Sequence, residues 1–283
     1  MKSLPKDSAF GKLMEKGEHR MKKIVALLLV FVMVFALCAC GQAKTEDPKP
    51  EEPATEEIVV EETPAEETAA EAPAVMTYAE FAAAEVDTPV VVETYVQATQ
   101  SWWNDQITVY TQAPDGAYFL YNLPCSQEDA AKLVPGQKIR VSGVKAEWSG
   151  EIEIIDASFE FLDGDTWIAE PTDITDVWGS PDMINYQNQL VSFKNVTIEA
   201  YDESGAAFAY KDPDGKTDDL YFKATLGDTT YDFCVEFYLC GNDTDVYKAV
   251  EGLQVGDTVD LEGFLYWYNG PNLHTTGLGV KVN

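Results

Sequence analysis

Acid–base or nucleophilic catalysis needs titratable side chains held in pairs or triads, and this sequence offers few that stand apart from background. There are two histidines, His19 and His274, and the second is isolated in Asn272-Leu273-His274-Thr275. One such residue cannot complete a Ser/His/Asp or Cys/His set, no Cys/His spacing suits zinc, and no glycine-rich phosphate loop occurs. The expectation is a non-catalytic chain with no cofactor. Carboxylates are abundant, 49 Asp plus Glu, so a working pair of the glycosidase kind cannot be picked out from chance neighbours. The densest run is Asp212-Pro213-Asp214-Gly215-Lys216-Thr217-Asp218-Asp219. Its weak metal candidates are Asp212, Asp214, Asp218 and Asp219, but it lacks the ligand spacing and terminal Glu of an EF-hand loop, and a turn is the plainer reading.

Aromatic residues give the remaining chemical signal: Trp102-Trp103, Trp148 and Tyr266-Trp267-Tyr268. Adjacent strand residues face opposite sides, so one of each neighbouring pair points away from the core. These six are the expected ligand-binding set, with packing between domains as the alternative. The charge balance, 19 Lys plus Arg against 49 Asp plus Glu, gives −30. Residues 76–283 alone hold 10 basic and 35 acidic residues, or −25. Phosphate neutralisation by Lys and Arg supplies most non-specific nucleic-acid affinity, so nucleic acid is expected to be an unlikely partner. A stripe of Lys132, Lys138, Arg140 and Lys145 is the one local counter-argument.

Two cysteines, Cys38 and Cys40, close an N-terminal pattern: Met21-Lys22-Lys23, an apolar run from Ile24 to Ala36, then Leu37-Cys38-Ala39-Cys40-Gly41. A charged start, a short hydrophobic stretch and small residues at its end make a secretion signal. The Leu-Cys-Ala-Cys ending resembles the bacterial lipobox, which implies acylation of Cys40, cleavage before it, and an extracytoplasmic chain anchored to the membrane by lipid. Residues 1–20 have no role in such a signal, which suggests that Met21 is the true start. From Gly41 to Val75 the composition is Glu, Pro, Ala and Thr, too poor in large apolar residues to fold. This acidic tether resembles those of Gram-positive surface lipoproteins. The remaining cysteines, Cys125, Cys234 and Cys240, allow at most one disulfide; three thiols are favoured, with a link from Cys125 to either of the others left open.

A shift of 120 residues superimposes Leu133-Val134-Pro135-Gly136-Gln137-Lys138-Ile139-Arg140-Val141-Ser142-Gly143-Val144 on Leu253-Gln254-Val255-Gly256-Asp257-Thr258-Val259-Asp260-Leu261-Glu262-Gly263-Phe264. In each copy the first glycine suits a turn of positive φ, the apolar alternation that follows is a strand, and Gly143 and Gly263 predict a bulge within it. Upstream stand a helix start (Ser126, or Asp243 to Asp245) and three strands: Val90–Ala98, Ile107–Thr111 and Tyr118–Leu123 in the first copy, Leu190–Ala200, Ala206–Tyr210 and Tyr231–Leu239 in the second. Three strands, a helix and two strands resemble the OB-fold; SH3-like barrels and a β-sandwich remain alternatives. The expected organisation is a signal and upstream extension (1–39), a lipidated cysteine and tether (40–75), a first OB-like domain (76–165) and a second (166–283). That architecture implies a surface-anchored binding module for an extracellular glycan or protein. The alternatives are a nucleic-acid module and a structural spacer.

Overall fold

Apolar alternation interrupted by turn residues sets every strand here, and the computed structural model describes residues 74–212 and 217–281. The expected signal, Cys40, the expected tether up to residue 73 and Asp214 lie outside the described residues. The first copy contains α1 (Tyr78–Ala83), β1 (Pro89–Thr99), β2 (Gln106–Ala113), β3 (Gly116–Pro124), α2 (Gln127–Ala130), β4 (Lys138–Trp148) and β5 (Glu151–Phe161). Its strands close in the order β1-β2-β3-β5-β4. After a connection with β6 (Thr172–Asp173), the second copy runs through β7 (Leu190–Glu199), β8 (Phe208–Tyr210), β9 (Leu220–Leu226), β10 (Thr229–Val235), α3 (Asp245–Glu251), β11 (Thr258–Trp267) and β12 (Pro271–Val280). Strands β7-β11-β12-β10-β9 form its sheet, and a β7–β9 pairing closes it. β3 runs parallel to β5 and β10 parallel to β12, while the other pairings within each barrel are antiparallel. The fold is two tandem five-stranded OB-fold-like barrels with short helices, as the repeat predicts.

Inward residues fill each barrel. Val92, Val96, Val109, Leu120, Ile139, Val141 and Ile154 are fully buried in the first, and Phe193, Val196, Leu220, Phe222, Phe233 and Leu265 in the second. Each such side chain contributes about 1.5–3 kcal/mol on burial. The glycine reading holds. Gly136 and Gly256 sit at φ +88° and +92°. The pairing registers slip at Gly143 and next to Gly263, where an added Cβ would meet Ile154 Cγ2 at 2.6 Å and the His274 carbonyl oxygen at 2.2 Å. Ser126 Oγ accepts from the Asp129 amide and Thr244 Oγ1 from the Tyr247 amide, so both interior helices begin at side-chain caps.

The second copy departs from expectation at its second strand. Ala206–Tyr210 shortens to the edge strand β8, and the real partner of β7 is β9, which follows it in the chain. The third strand stops at Val235 because the amides of Leu239 and Cys240 turn back onto the Glu236 carbonyl. Cys234 and Cys240 therefore do not share a straight strand, and all three described cysteines are free thiols. The first barrel also extends past residue 165: the Trp167 amide donates to the Gly136 carbonyl and the Ala169 amide to Gln97 Oε1.

Candidate functional site

In OB barrels the outer face of the second and third strands, with its flanking loops, receives ligands. Strand alternation puts Tyr110 of β2 and Phe119 and Tyr121 of β3 on that face of the first barrel. It is covered. Phe264 stacks on Tyr110 at 4.6 Å, Tyr266 meets Phe119 edge-on at 5.4 Å, and Tyr266 stacks on His274 at 4.2 Å. Tyr110 Oη and His274 Nδ1 lie 2.6 Å apart, and Gln100 Nε2 donates to the same phenol. Burial pushes His274 down to about 4, so at neutral pH the imidazole is uncharged and shares a hydrogen bond with the tyrosine hydroxyl through Nδ1. The Leu190 amide donates to Gln112 Oε1 and the Ser101 amide to the Tyr238 carbonyl. The second barrel thus covers the Tyr110 and Phe119 part of the first barrel's ligand face with its own aromatic side chains.

The equivalent strands of the second barrel, β9 and β10, keep an open row. Leu220, Phe222 and Ala224 point into the core, so Tyr221, Lys223 and Thr225 point out, paired with Cys234, Asp232 and Thr230. Tyr201, on the loop before β8, lies nearly parallel to Tyr221 at 6.4 Å and 22°. Lys223 Nζ sits 5.1 Å from the Tyr201 ring centroid, donates to the Tyr201 carbonyl at 2.7 Å, and is 3.7 Å from Asp232. Thr225 and Thr230 share a 2.9 Å hydrogen bond at the far end. Tyr201, Tyr221 and Lys223 are each half-buried, so part of each side chain remains at the surface. Sequence reasoning missed this face because β9 was not recognised; the Leu-Tyr-Phe-Lys-Ala alternation of residues 220–224 carries the signal.

The six aromatics expected to bind ligand do not converge. Trp148 and Tyr268, both 52% exposed, meet at 5.3 Å where the last hairpins of the two barrels touch. Trp267 packs over Gly150, whose added Cβ would fall 2.7 Å from its ring. Tyr266 is in the seam, Trp102 turns into the first barrel and donates to the Cys125 carbonyl, and Trp103 stands apart at 68% exposure. The basic stripe dissolves as well. Lys132 pairs with Glu128 and Asp129, Lys138 and Arg140 with Glu93, and Arg140 also with Glu160. Lys145 is buried and donates to the carbonyls of Phe81, Ala82 and Ala84 at the end of α1.

Of the weak metal candidates, Asp218 and Asp219 are engaged otherwise. Asp219 accepts from the Phe237 amide, Lys211 and the Tyr221 hydroxyl, and Asp218 accepts from the Asp219 amide and lies 3.4 Å from Lys211. Among the described residues no group of three or more His, Cys, Asp or Glu is placed to hold a metal. No described helix is long and apolar enough to cross a membrane.

No family model and no curated relative matches the chain. Several solved structures do. A murine DNA-binding protein bound to double-stranded DNA is 12% identical with a TM-score of 0.33, over 68% of this chain and 98% of that one. The HINa domain of Ifi202 in complex with 20 base pairs of double-stranded DNA is 12% identical with a TM-score of 0.31, over 69% and 96%. The p202 HIN1 domain in complex with a 12-mer duplex is 13% identical, also with a TM-score of 0.31, over 69% and 94%. No residue role is taken from likenesses of this degree. Two expectations are nevertheless corrected: a glycan or protein as the ligand, and nucleic acid as an unlikely partner. The three structures named hold DNA, and the charge argument summed the whole folded part, whereas base stacking depends on the chemistry of one face.

Proposed function

We propose that this chain is a non-catalytic tandem OB-fold module that binds single-stranded nucleic acid on the outer face of β9 and β10, with the first barrel as a fixed brace. The observation that carries the reading is the half-exposed row of Tyr201, Tyr221 and Lys223 on the strand pair that OB domains use. Unpaired bases offer ring faces to tyrosines at about 1–3 kcal/mol per base, whatever their sequence. A duplex hides those faces and needs several phosphates neutralised, which one lysine cannot do. Lys211 is already committed to Asp218 and Asp219 at 3.4 and 3.1 Å. Lys223 already pairs with Asp232 at 3.7 Å, so binding rests on stacking, and the salt dependence is shallow, with a slope no steeper than about −0.7, that of one phosphate contact on a single strand.

The test is an anisotropy titration of labelled oligothymidylate with the full chain at low salt. Tyr221→Ala should weaken binding by about 5- to 150-fold, the equivalent of one lost stack. Unchanged binding in that variant, or a slope of several units, overturns the reading. We also propose that the module is exported and held at the membrane by a lipid on Cys40, a reading supported by Leu37-Cys38-Ala39-Cys40 and the acidic stretch after it.

A further inference from the structure

The seam between the barrels contains one group whose chemistry does not match its surroundings. Glu151 opens β5, directly after Gly150, and its side chain is wholly shielded from solvent. Oε2 is well served, accepting from the Trp267 amide at 2.8 Å and from Gln187 Nε2 at 3.1 Å, both on the second barrel's side of the seam. Oε1 is buried with no hydrogen-bond partner. The titratable groups whose charges act on this region are Glu153 on the same strand, Tyr266 from β11 and Tyr78 from α1; the polar neighbours Gln187 and Asn188 are uncharged. None of these can carry a positive charge at neutral pH. A carboxylate here would hold a dry negative charge with no cation beside it, and the cost of its burial outweighs the help of the donors from Trp267, Gln187 and Asn188, so the neutral acid is the form that suits the seam.

We infer that Glu151 is a proton-operated latch: its neutral carboxylic acid keeps the second barrel docked on the first, and loss of that proton loosens the seam over Tyr110 and Phe119. The direction agrees with burial, which pushes this carboxyl up to about 8. Ionisation then draws water to the unpartnered Oε1, on the carboxyl whose other oxygen holds the bonds from Trp267 and Gln187 that join the two barrels. His274 guards the other side. Its protonation at low pH would place a cation against Tyr110 and Tyr266, so the closed seam belongs to the interval between. The latch is independent of whether β9 and β10 bind nucleic acid.

Hydrogen–deuterium exchange on the full chain tests it, read at amides that donate across the seam, Ser101, Leu190, Trp267 and Asn269. After correction for intrinsic exchange rates, protection at these amides should fall tenfold or more between pH 7 and pH 9, while that of core amides in β4 and β11 holds. In Glu151→Gln, which keeps a neutral side chain at every pH, the fall should disappear; in Glu153→Gln it should persist. Constant protection in the wild-type chain overturns the proposal by itself, whether or not either variant folds. The same fall in Glu151→Gln, or a simultaneous fall in the core amides, also overturns it.

Discussion

Replacing Glu151 by Gln should make the protein more stable, and by an amount that grows with pH. In an unfolded chain the carboxyl titrates at its ordinary value of 4.5, and in the folded seam burial moves it up to about 8. Between those values the unfolded state has given up the proton and the folded state retains it, so the folded state binds more protons and stability falls as pH rises. Each unit costs about 1.4 kcal/mol, and the full window of roughly 3.5 units costs about 5 kcal/mol. Water entering the seam would lower that figure, so about 3–5 kcal/mol is the working range. Below 4.5 the acid is neutral in both states, and above 8 the loss is complete. Glutamine keeps the shape, can accept from Trp267 and Gln187 through its oxygen, and presents N–H groups where Oε1 lacks a partner. Urea denaturation at pH 5, 7 and 9, followed by circular dichroism, measures the difference between variant and wild type at each pH, which cancels every other titrating group. The difference should be small at pH 5 and reach several kcal/mol at pH 9. A difference that stays flat across the series, or a wild type more stable than the variant at pH 9, would refute the argument.

Gly263→Ala should destabilise the second barrel by about 2–3 kcal/mol, since its Cβ would meet the His274 carbonyl at 2.2 Å, while Gly279→Ala, with open space around it, should stay within about 0.5 kcal/mol; thermal unfolding compares the two. The His274 imidazole should titrate near 4 by NMR, and because its folded value is lowered, stability contributed by the neutral ring is present above 6.5 and lost as pH falls from 6.5 toward 4. A midpoint near 6.5 would mean an open seam. Lys145→Ala should cost about 2–4 kcal/mol and speed amide exchange in α1, because three carbonyls at that helix end lose their donor. Unchanged exchange in α1 would show that the lysine does not hold it.

The self-similarity between residues 133–144 and 253–264 made most of the fold legible, because a turn glycine, an alternating strand and a bulge glycine are local requirements that the chain must meet in sequence. The loop between β7 and β9 broke that logic. Ala206–Tyr210 has a strand's composition and becomes an edge strand, so counting strands along the chain put it in the place of β9. The site was less legible for a different reason. Outward positions of Phe264, Tyr266 and His274 read as solvent-facing aromatics until a second barrel is set against them, and nothing in a strand's own pattern says what covers its outer face. Trp148 and Tyr268, 120 positions apart in the repeat, do meet, yet as a surface pair and not as part of a cleft.

The central claim, that the outer face of β9 and β10 receives single-stranded nucleic acid, is tested most directly by NMR chemical-shift mapping of the full chain with a short oligothymidylate. The account predicts perturbations gathered at Tyr201, Tyr221, Lys223, Thr225 and Thr230, with the sealed Tyr110 and Phe119 unaffected at neutral pH. Saturating oligonucleotide that leaves those five residues unmoved, or shifts that gather around Lys132, Lys138 and Arg140 instead, would contradict it.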